Sequence, residues 1–149
     1  MNKVSFTLHL KTNIEKLFDF HLNPKNLKLL SSPYSNIKIV CSKIPIEKDS
    51  FVSIKMFILP FIPIKWDLII EDVKTNELIV DFQTKGPFKH WRHFHRFETL
   101  FDGTVVMTDE IEYELGFGLI GKLFSPILSW FLNRTFKQRH KIIESLFGR

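Results

Sequence analysis

The segment from Gly86 to Glu98, GPFKHWRHFHRFE, concentrates side chains that ligate metals or move protons. Its thirteen residues include three histidines, two arginines and four aromatic rings. An imidazole can ligate a metal, act as a general acid or base, or form a structural hydrogen bond. Which of these chemistries applies depends on which side chains share one face of the chain.

The alternation of aromatic and charged residues in this segment predicts a β-strand, in which successive side chains point to opposite faces. The three histidines therefore cannot converge, because His90 lies on the face opposite the other two. The next segment, TVVMTDEIEYEL, alternates in the same way. The largely apolar faces of these two strands carry Trp91, His93, His95, Phe97, Met107, Asp109, Ile111 and Tyr113.

The FDG turn fixes how the two strands pair. A three-residue loop with Gly103 in the left-handed conformation pairs Leu100 with Thr104, so odd positions face odd positions. This register predicts that His95 lies opposite Asp109 on the buried face. Because a buried carboxylate without a partner is costly, Asp109 should pair with His95 or be protonated.

Three interpretations of this polar group remain open. It could be a structural hydrogen bond within the core, or a polar group that orients a ligand in an apolar pocket. It could also be a His95–Asp109 acid/base pair for cyclisation or dehydration, or with His93 a facial triad for iron. No third ligand flanks His93 and no outer group is placed to orient the imidazoles, so we predict no metal site and no cofactor.

The remaining sequence predicts an α+β fold within one domain, residues 1–149. KVSFTLHL alternates as a strand, and TNIEKLFDF, with Thr12 and Glu15 at capping-box spacing, predicts a short helix. A second brief helix begins at Pro24. Six strands with short turns follow from Asn36, and a long helix runs from after Gly116 to Gly148.

This order and several segments resemble the SRPBCC superfamily, which includes START lipid-transfer domains, birch-pollen-allergen-like proteins and polyketide cyclases. The segments are IEKLFDFHLNPKNLKLL, LPFIPIKW, GPFKHWRHFHRFE and MTDEIEYELGFGLIGKL. The resemblance implies a helix-grip fold, in which a seven-stranded curved antiparallel sheet wraps around the C-terminal helix, with two short helices after the first strand. It also implies a hydrophobic cavity between sheet and helix, in which members of the superfamily bind lipids, sterols, quinones or aromatic polyketides.

We therefore predict that the chain binds or transports a hydrophobic or amphipathic small molecule. His93, His95 and Asp109 would orient it. The cavity wall would comprise Trp91, Phe97, Met107, Ile111 and Tyr113, with Leu123, Ile127 and Phe131 of the last helix. The alternative is a cyclase- or dehydratase-type enzyme that uses His95 and Asp109 in the same cavity.

Two further segments are more apolar than their predicted positions in a loop and on a helix surface would require. The Leu59–Pro63 loop is apolar where a turn is normally polar, which indicates a turn folded under the last helix, a cavity mouth or a rim that touches membrane. The last helix is apolar from Leu119 to Leu132, then basic, and Pro126 indicates a kink. Its basic half is typical of a solvated face or of docking on an anionic membrane.

Composition limits the remaining function classes. The net charge of +5 is compatible with anionic partners, but the basic residues do not cluster with exposed aromatic residues, so we predict no nucleic-acid binding. Cys41 is the only cysteine, which excludes an intrachain disulfide and favours a reducing compartment, the cytoplasm. The first residues do not form a signal peptide, and Phe117 to Leu132 is too short and interrupted to span a bilayer. The sequence does not indicate an oligomeric state.

Overall fold

Seven antiparallel strands and two α-helices form the computed structural model, which describes residues 1–32, 35–57 and 62–148. The elements in chain order are β1 (Asn2–Leu10), α1 (Ile14–His21), a 3-10 helix (Pro24–Lys28), β2 (Lys38–Cys41), β3 (Phe51–Phe57), β4 (Pro63–Lys74), β5 (Leu78–Lys85), β6 (His90–Thr99), β7 (Val105–Glu114) and α2 (Gly118–Phe147). The predicted helix-grip architecture is confirmed. Within the described ranges, no helix is both long and apolar enough to cross a bilayer.

The strands are ordered β1-β7-β6-β5-β4-β3-β2. Each strand from β2 to β6 pairs with its successor, whereas β1 lies at the opposite edge from β2 and pairs with β7. The two short helices connect these edges. Helix α1 begins one residue later than the capping-box spacing predicts, because Asn13 rather than Thr12 is the N-cap and accepts a hydrogen bond from the Lys16 amide at 2.9 Å.

The β6–β7 hairpin has the predicted register. Gly103 adopts a φ of 82°, and the Leu100 amide donates a 2.8 Å hydrogen bond to the Thr104 carbonyl. His95 consequently lies opposite Asp109. This register places His93, His95 and Asp109 on the face that the helices cover.

Helix α2 consists of two halves with different environments. It passes Pro126 without a break. Residues at helical spacing in its C-terminal half are buried against the sheet: Leu132, Phe136, His140 and Ile143. Phe136 stacks on Phe6 of β1, with ring centroids 4.9 Å apart and planes 4° from parallel. The C-terminal half of α2 therefore closes the core.

Most of the apolar Leu59–Pro63 loop lies outside the described residues. Of that segment, the structure describes Ile62, which is exposed, and Pro63, where β4 begins. The hypotheses about this loop stay predictions.

Candidate functional site

A cavity of about 160 Å³ lies between the sheet, the segment containing α1 and the 3-10 helix, and the C-terminal half of α2. Most of its wall is apolar. Six side chains that can carry charge also line it: His21, Asp81, His93, His95, Asp109 and, on α2, Arg139. The apolar lining includes Leu27, Leu30, Ile46, Val52, Ile54, Met56, Trp66, Leu68, Ile70, Ile79, Trp91, Met107, Phe136 and Ile143.

Two aspartates and two histidines form the centre of the polar group. His93 Nε2 donates to Asp109 Oδ1 at 2.9 Å, and His95 Nε2 donates to Asp81 Oδ2 at 3.1 Å. His95 Nδ1 also lies 3.1 Å from Asp109 Oδ1, but it makes no hydrogen bond there, so this contact is electrostatic. The two imidazole rings stack with centroids 3.8 Å apart. His95 thus lies between two carboxylates.

Two helices complete this group. From α2, His140 Nε2 donates to Asp109 Oδ2 at 2.7 Å, so both carboxylate oxygens of Asp109 are engaged. From α1, the His21 ring lies 5.9 Å from the His95 ring. His21 Nδ1 donates to the Leu17 carbonyl at 2.7 Å, which leaves Nε2 as the unprotonated nitrogen when the ring is neutral. We call these six residues the His–Asp cluster: His21, Asp81, His93, His95, Asp109 and His140.

The cluster separates the protonation states of its members. Burial alone lowers the pKa of His95, but its contacts with Asp109 and Asp81 outweigh burial and raise that pKa to about 9. Burial likewise opposes ionisation of Asp109, yet hydrogen bonds from His140 and His93 and the contact with His95 hold its pKa well below the usual range. At neutral pH, a half-buried imidazolium on His95 therefore lies beside a buried carboxylate on Asp109.

The pKa values of two other histidines in the cluster, His21 and His93, are shifted downwards. Burial, followed by the charge on His95, lowers the pKa of His21 to about 4. The same two causes lower the pKa of His93, although Asp109 and Asp81 oppose the shift. His21 and His93 are thus neutral at neutral pH, whereas His95 is charged.

Arg139 is a cation without a hydrogen-bonded anion in the described part of the chain. Its Nε is fully enclosed and has no hydrogen-bond partner there. The guanidinium lies over the Phe136 ring, 5.1 Å from its centroid. Burial lowers the pKa of Arg139, and the charges of Asp109 and Asp81 oppose that shift. The residue therefore leaves an unused donor at the cavity wall.

The structure brings together five of the predicted site residues and separates six. Those lining the cavity are Trp91, His93, His95, Met107 and Asp109. Three others are buried in the core but do not line it: Phe97, Ile111 and Tyr113. The expectation that the last helix contributes Leu123, Ile127 and Phe131 to the wall is wrong for this structure, because these side chains are exposed. The helix covers the cavity with its C-terminal half instead.

Sequence reasoning missed four participants: His21, Asp81, Arg139 and His140. Two of them had a usable signal. Asp81 alternates with Ile79 and Gln83 on one face of β5, and His140 follows Phe136 by four residues and precedes Ile143 by three. That spacing belongs to the buried stripe of a helix, but the surrounding basic residues indicated a solvated face. His21 and Arg139 gave no comparable signal.

A metal ion could also reach part of this group. The possible ligand atoms of Asp81, His93 and His95 lie within 4.8 Å of one another. His95 Nε2 already donates to Asp81, and the carboxylates favour a proton on that imidazole. A metal would have to displace this proton, so the polar group is better described as a hydrogen-bonded network.

Comparison with known proteins identifies the fold. No family model and no curated protein sequence matches the chain. A START superfamily protein from Mycobacterium smegmatis superposes with a TM-score of 0.71 at 14% identity, covering 97% of this chain and 96% of that one. Norcoclaurine synthase from Thalictrum flavum superposes with a TM-score of 0.70 at 10% identity, covering 95% and 86%.

The same synthase in complex with dopamine and hydroxybenzaldehyde superposes with a TM-score of 0.69 at 11% identity, covering 99% of this chain and 89% of that one. These identities are low, so what the likeness shows is the architecture. It agrees with the resemblance indicated by the sequence. The chain has the helix-grip fold of START-like and SRPBCC proteins.

Proposed function

We propose that this protein binds a small hydrophobic or amphipathic molecule in the cavity between sheet and α2. The observation that carries the proposal is an apolar cavity with a charged cluster on one wall. Ligand sites commonly combine apolar walls with a few polar groups that fix orientation. The solved complex of norcoclaurine synthase, which has the same fold, holds two small aromatic molecules and supports this proposal.

The cavity dimensions favour a small ligand segment. A volume of about 160 Å³ is close to that of engineered cavities that hold benzene, about 150 Å³. One aromatic ring or a short acyl segment fits this volume. A larger molecule would extend out of this volume through the open side of the cavity.

Arg139 indicates the chemistry of the polar end. An enclosed donor without a partner costs free energy, and a ligand oxygen that accepts from Nε would remove this cost. Asp81 and Asp109 are already engaged by histidines. We therefore propose that the ligand carries a carbonyl, carboxylate or phosphate oxygen directed at Arg139.

Native mass spectrometry of protein purified without detergent tests the proposal. We expect a stoichiometric adduct, and we expect denaturing extraction to release an apolar compound that contains such an oxygen. Val52→Phe should abolish the adduct, because Val52 is buried in the cavity wall and the larger ring would occupy the ligand volume.

Val73→Phe is the matched control, since Val73 is partly buried beside the core outside the cavity lining. It makes the same change in side-chain size and should leave the adduct in place. If the two variants retain the adduct equally, the ligand lies elsewhere. If gently purified wild-type protein repeatedly shows no adduct and takes up no small aromatic acid, the binding function is refuted.

A second candidate function is acid/base catalysis in the same cavity. The observation that favours it is the divergence between the pKa of His21, lowered to about 4, and that of His95, raised to about 9. The rings lie 5.9 Å apart, so at neutral pH an unprotonated base and a protonated acid face one cavity. This arrangement suits a cyclisation or dehydration in which one proton is removed and another is donated.

Deuterium exchange tests this candidate. The compound released from the protein should, when returned to it in D₂O, exchange a carbon-bound proton. His21→Phe should slow the exchange roughly 100-fold, a typical effect of removing a general base, while binding persists. Phe20→Leu, which changes the neighbouring cavity residue without removing a base, serves as the control. Recovery of unlabelled compound from the wild type would contradict catalysis and leave the binding function intact.

A further inference from the structure

The N-terminal half of α2 presents a continuous apolar surface to solvent. Phe117, just before the helix, is 85% exposed, and Leu123 is 76% exposed. Seven helix residues form this surface, which we call the apolar face of α2: Leu119, Ile120, Leu123, Phe124, Ile127, Trp130 and Phe131. At 3.6 residues per turn they fall within an arc of about 140°. Exposed apolar surfaces of this extent mark interaction sites.

The opposite side of the same half is the side that packs. Gly121 is buried, Leu128 packs against the core, and the Ser129 hydroxyl lies 3.2 Å from the Tyr113 hydroxyl. The apolar face is therefore not a misplaced core surface of a helix rotated about its axis, because the helix already has a packed side. It is a second surface, separate from the cavity.

The charges along α2 indicate the partner. Continuing the helical repeat places Arg134, Lys137 and Lys141 on the same side as the apolar face, one to three turns towards the C-terminus. All three are exposed. The helix contains five lysines and arginines in total but a single acidic residue, Glu144. An apolar face followed by a basic face matches the acyl and headgroup layers of an anionic bilayer.

The junction and the start of the helix support the same partner. Trp130 lies at the end of the apolar face, with the Arg134 guanidinium 5.6 Å from its ring centroid. A tryptophan beside a cation is favoured where apolar and polar layers meet. At the other end, Phe117 combines a φ of 69°, which is unfavourable for a residue with a side chain, with a ring that is largely exposed. Insertion of this ring into acyl chains would bury it.

We propose that the apolar face of α2 docks on the surface of an anionic phospholipid bilayer, with Arg134, Lys137 and Lys141 at the headgroups. This interaction goes beyond ligand binding in the cavity and does not depend on it.

Vesicle co-sedimentation tests the docking. Wild-type protein should bind phosphatidylcholine–phosphatidylserine vesicles more tightly than pure phosphatidylcholine vesicles, and binding should weaken between about 0.1 M and 1 M salt. Leu123→Glu should lower the partition coefficient roughly tenfold, since it places a carboxylate within the inserted layer. Val40→Glu adds the same charge at an exposed apolar position on β2, outside α2, and should change binding far less.

Three results would overturn the docking proposal. The first is no binding to anionic vesicles, and the second is equal loss in the Leu123→Glu and Val40→Glu variants. The third is a dimer in sedimentation equilibrium that Leu123→Glu dissociates, without vesicle binding, which would assign the apolar face to a second copy of the chain. Both variants alter exposed side chains and should fold normally, so misfolding obscures none of these three results.

Discussion

Replacing Asp109 by Asn should lower the free energy of unfolding by about 3–5 kcal/mol. Asp109 is buried and accepts hydrogen bonds from His93 and His140 at 2.9 and 2.7 Å while lying beside charged His95. An amide keeps the shape of the side chain but offers one acceptor oxygen and introduces a donor. One histidine would then face an N–H group, and His95 would lose half of its compensating charge.

Urea denaturation monitored by tryptophan fluorescence measures this loss of free energy. In thermal denaturation, the melting temperature should fall by roughly 10 °C. Asp102→Asn is the matched control. Asp102 accepts a hydrogen bond from the Thr104 amide at 2.9 Å in the exposed β6–β7 turn, and the same exchange there should cost less than about 1 kcal/mol. Equal stability losses in the two variants would show that the cluster is not a buried charge network.

Stability should peak near pH 6.5 and decline on both sides. On the alkaline side, folded His95 holds its proton until about pH 9, whereas the unfolded chain releases it near 6.5. This contribution, on the order of 3 kcal/mol, is fully present below pH 6.5 and is lost as the pH rises towards 9. The responsible neighbours are Asp81 on β5 and Asp109 on β7.

On the acid side, His21 takes up a proton near pH 6.5 in the unfolded chain but only at about pH 4 in the folded protein. Stability therefore falls between these values, again by on the order of 3 kcal/mol, and the lowered pKa of His93 acts in the same direction. Asp109 adds a further loss only below the ordinary aspartate pKa of 3.8, where the carboxyl is protonated in the unfolded chain but still charged in the folded one, and this loss is complete once the pH reaches the lowered pKa.

Two variants separate the limbs of this profile. In urea titrations from pH 4 to pH 9, His95→Gln should flatten the alkaline limb and His21→Phe the acid limb, each without removing the other. His9→Gln, on the solvent side of β1, should leave both limbs unchanged. A wild-type profile that stays flat from pH 6.5 to 9 would mean that His95 is not held as an imidazolium in the folded protein.

The local patterns predicted the hairpin at the centre of the site because they specify it completely. The FDG turn and the strict alternation of apolar and charged residues allow a single register, which placed His95 opposite Asp109 before any tertiary information. The same reasoning could not choose the hydrogen bonds. His95 lies directly opposite Asp109, but the hydrogen bond to Asp109 comes from His93, two residues earlier on β6. His95 instead donates to Asp81 on the neighbouring strand β5.

The errors arose where a helix had two candidate faces. Around Leu123 and Ile127 the sequence is apolar almost all round, so periodicity could not tell which side packs. Gly121 marks the side that packs, because its missing side chain lets the helix approach the Gly116 backbone: a Cβ there would collide with the Gly116 carbonyl oxygen. Such a close approach depends on three-dimensional placement. In the basic half, charge obscured the buried stripe to which His140 belongs.

The position of β1 at the edge beside β7 has a consequence for the order of folding. The paired residues of these strands are separated by 95 to 111 positions in the chain, from Leu10 with Val105 to Asn2 with Tyr113. At a synthesis rate of about 5–20 residues per second, β1 waits roughly 5–20 s for its partner. Phe6, which packs on Phe136, waits longer still. The N-terminal strand thus cannot join the sheet until β7 has been synthesised, and until then its apolar side has no sheet partner.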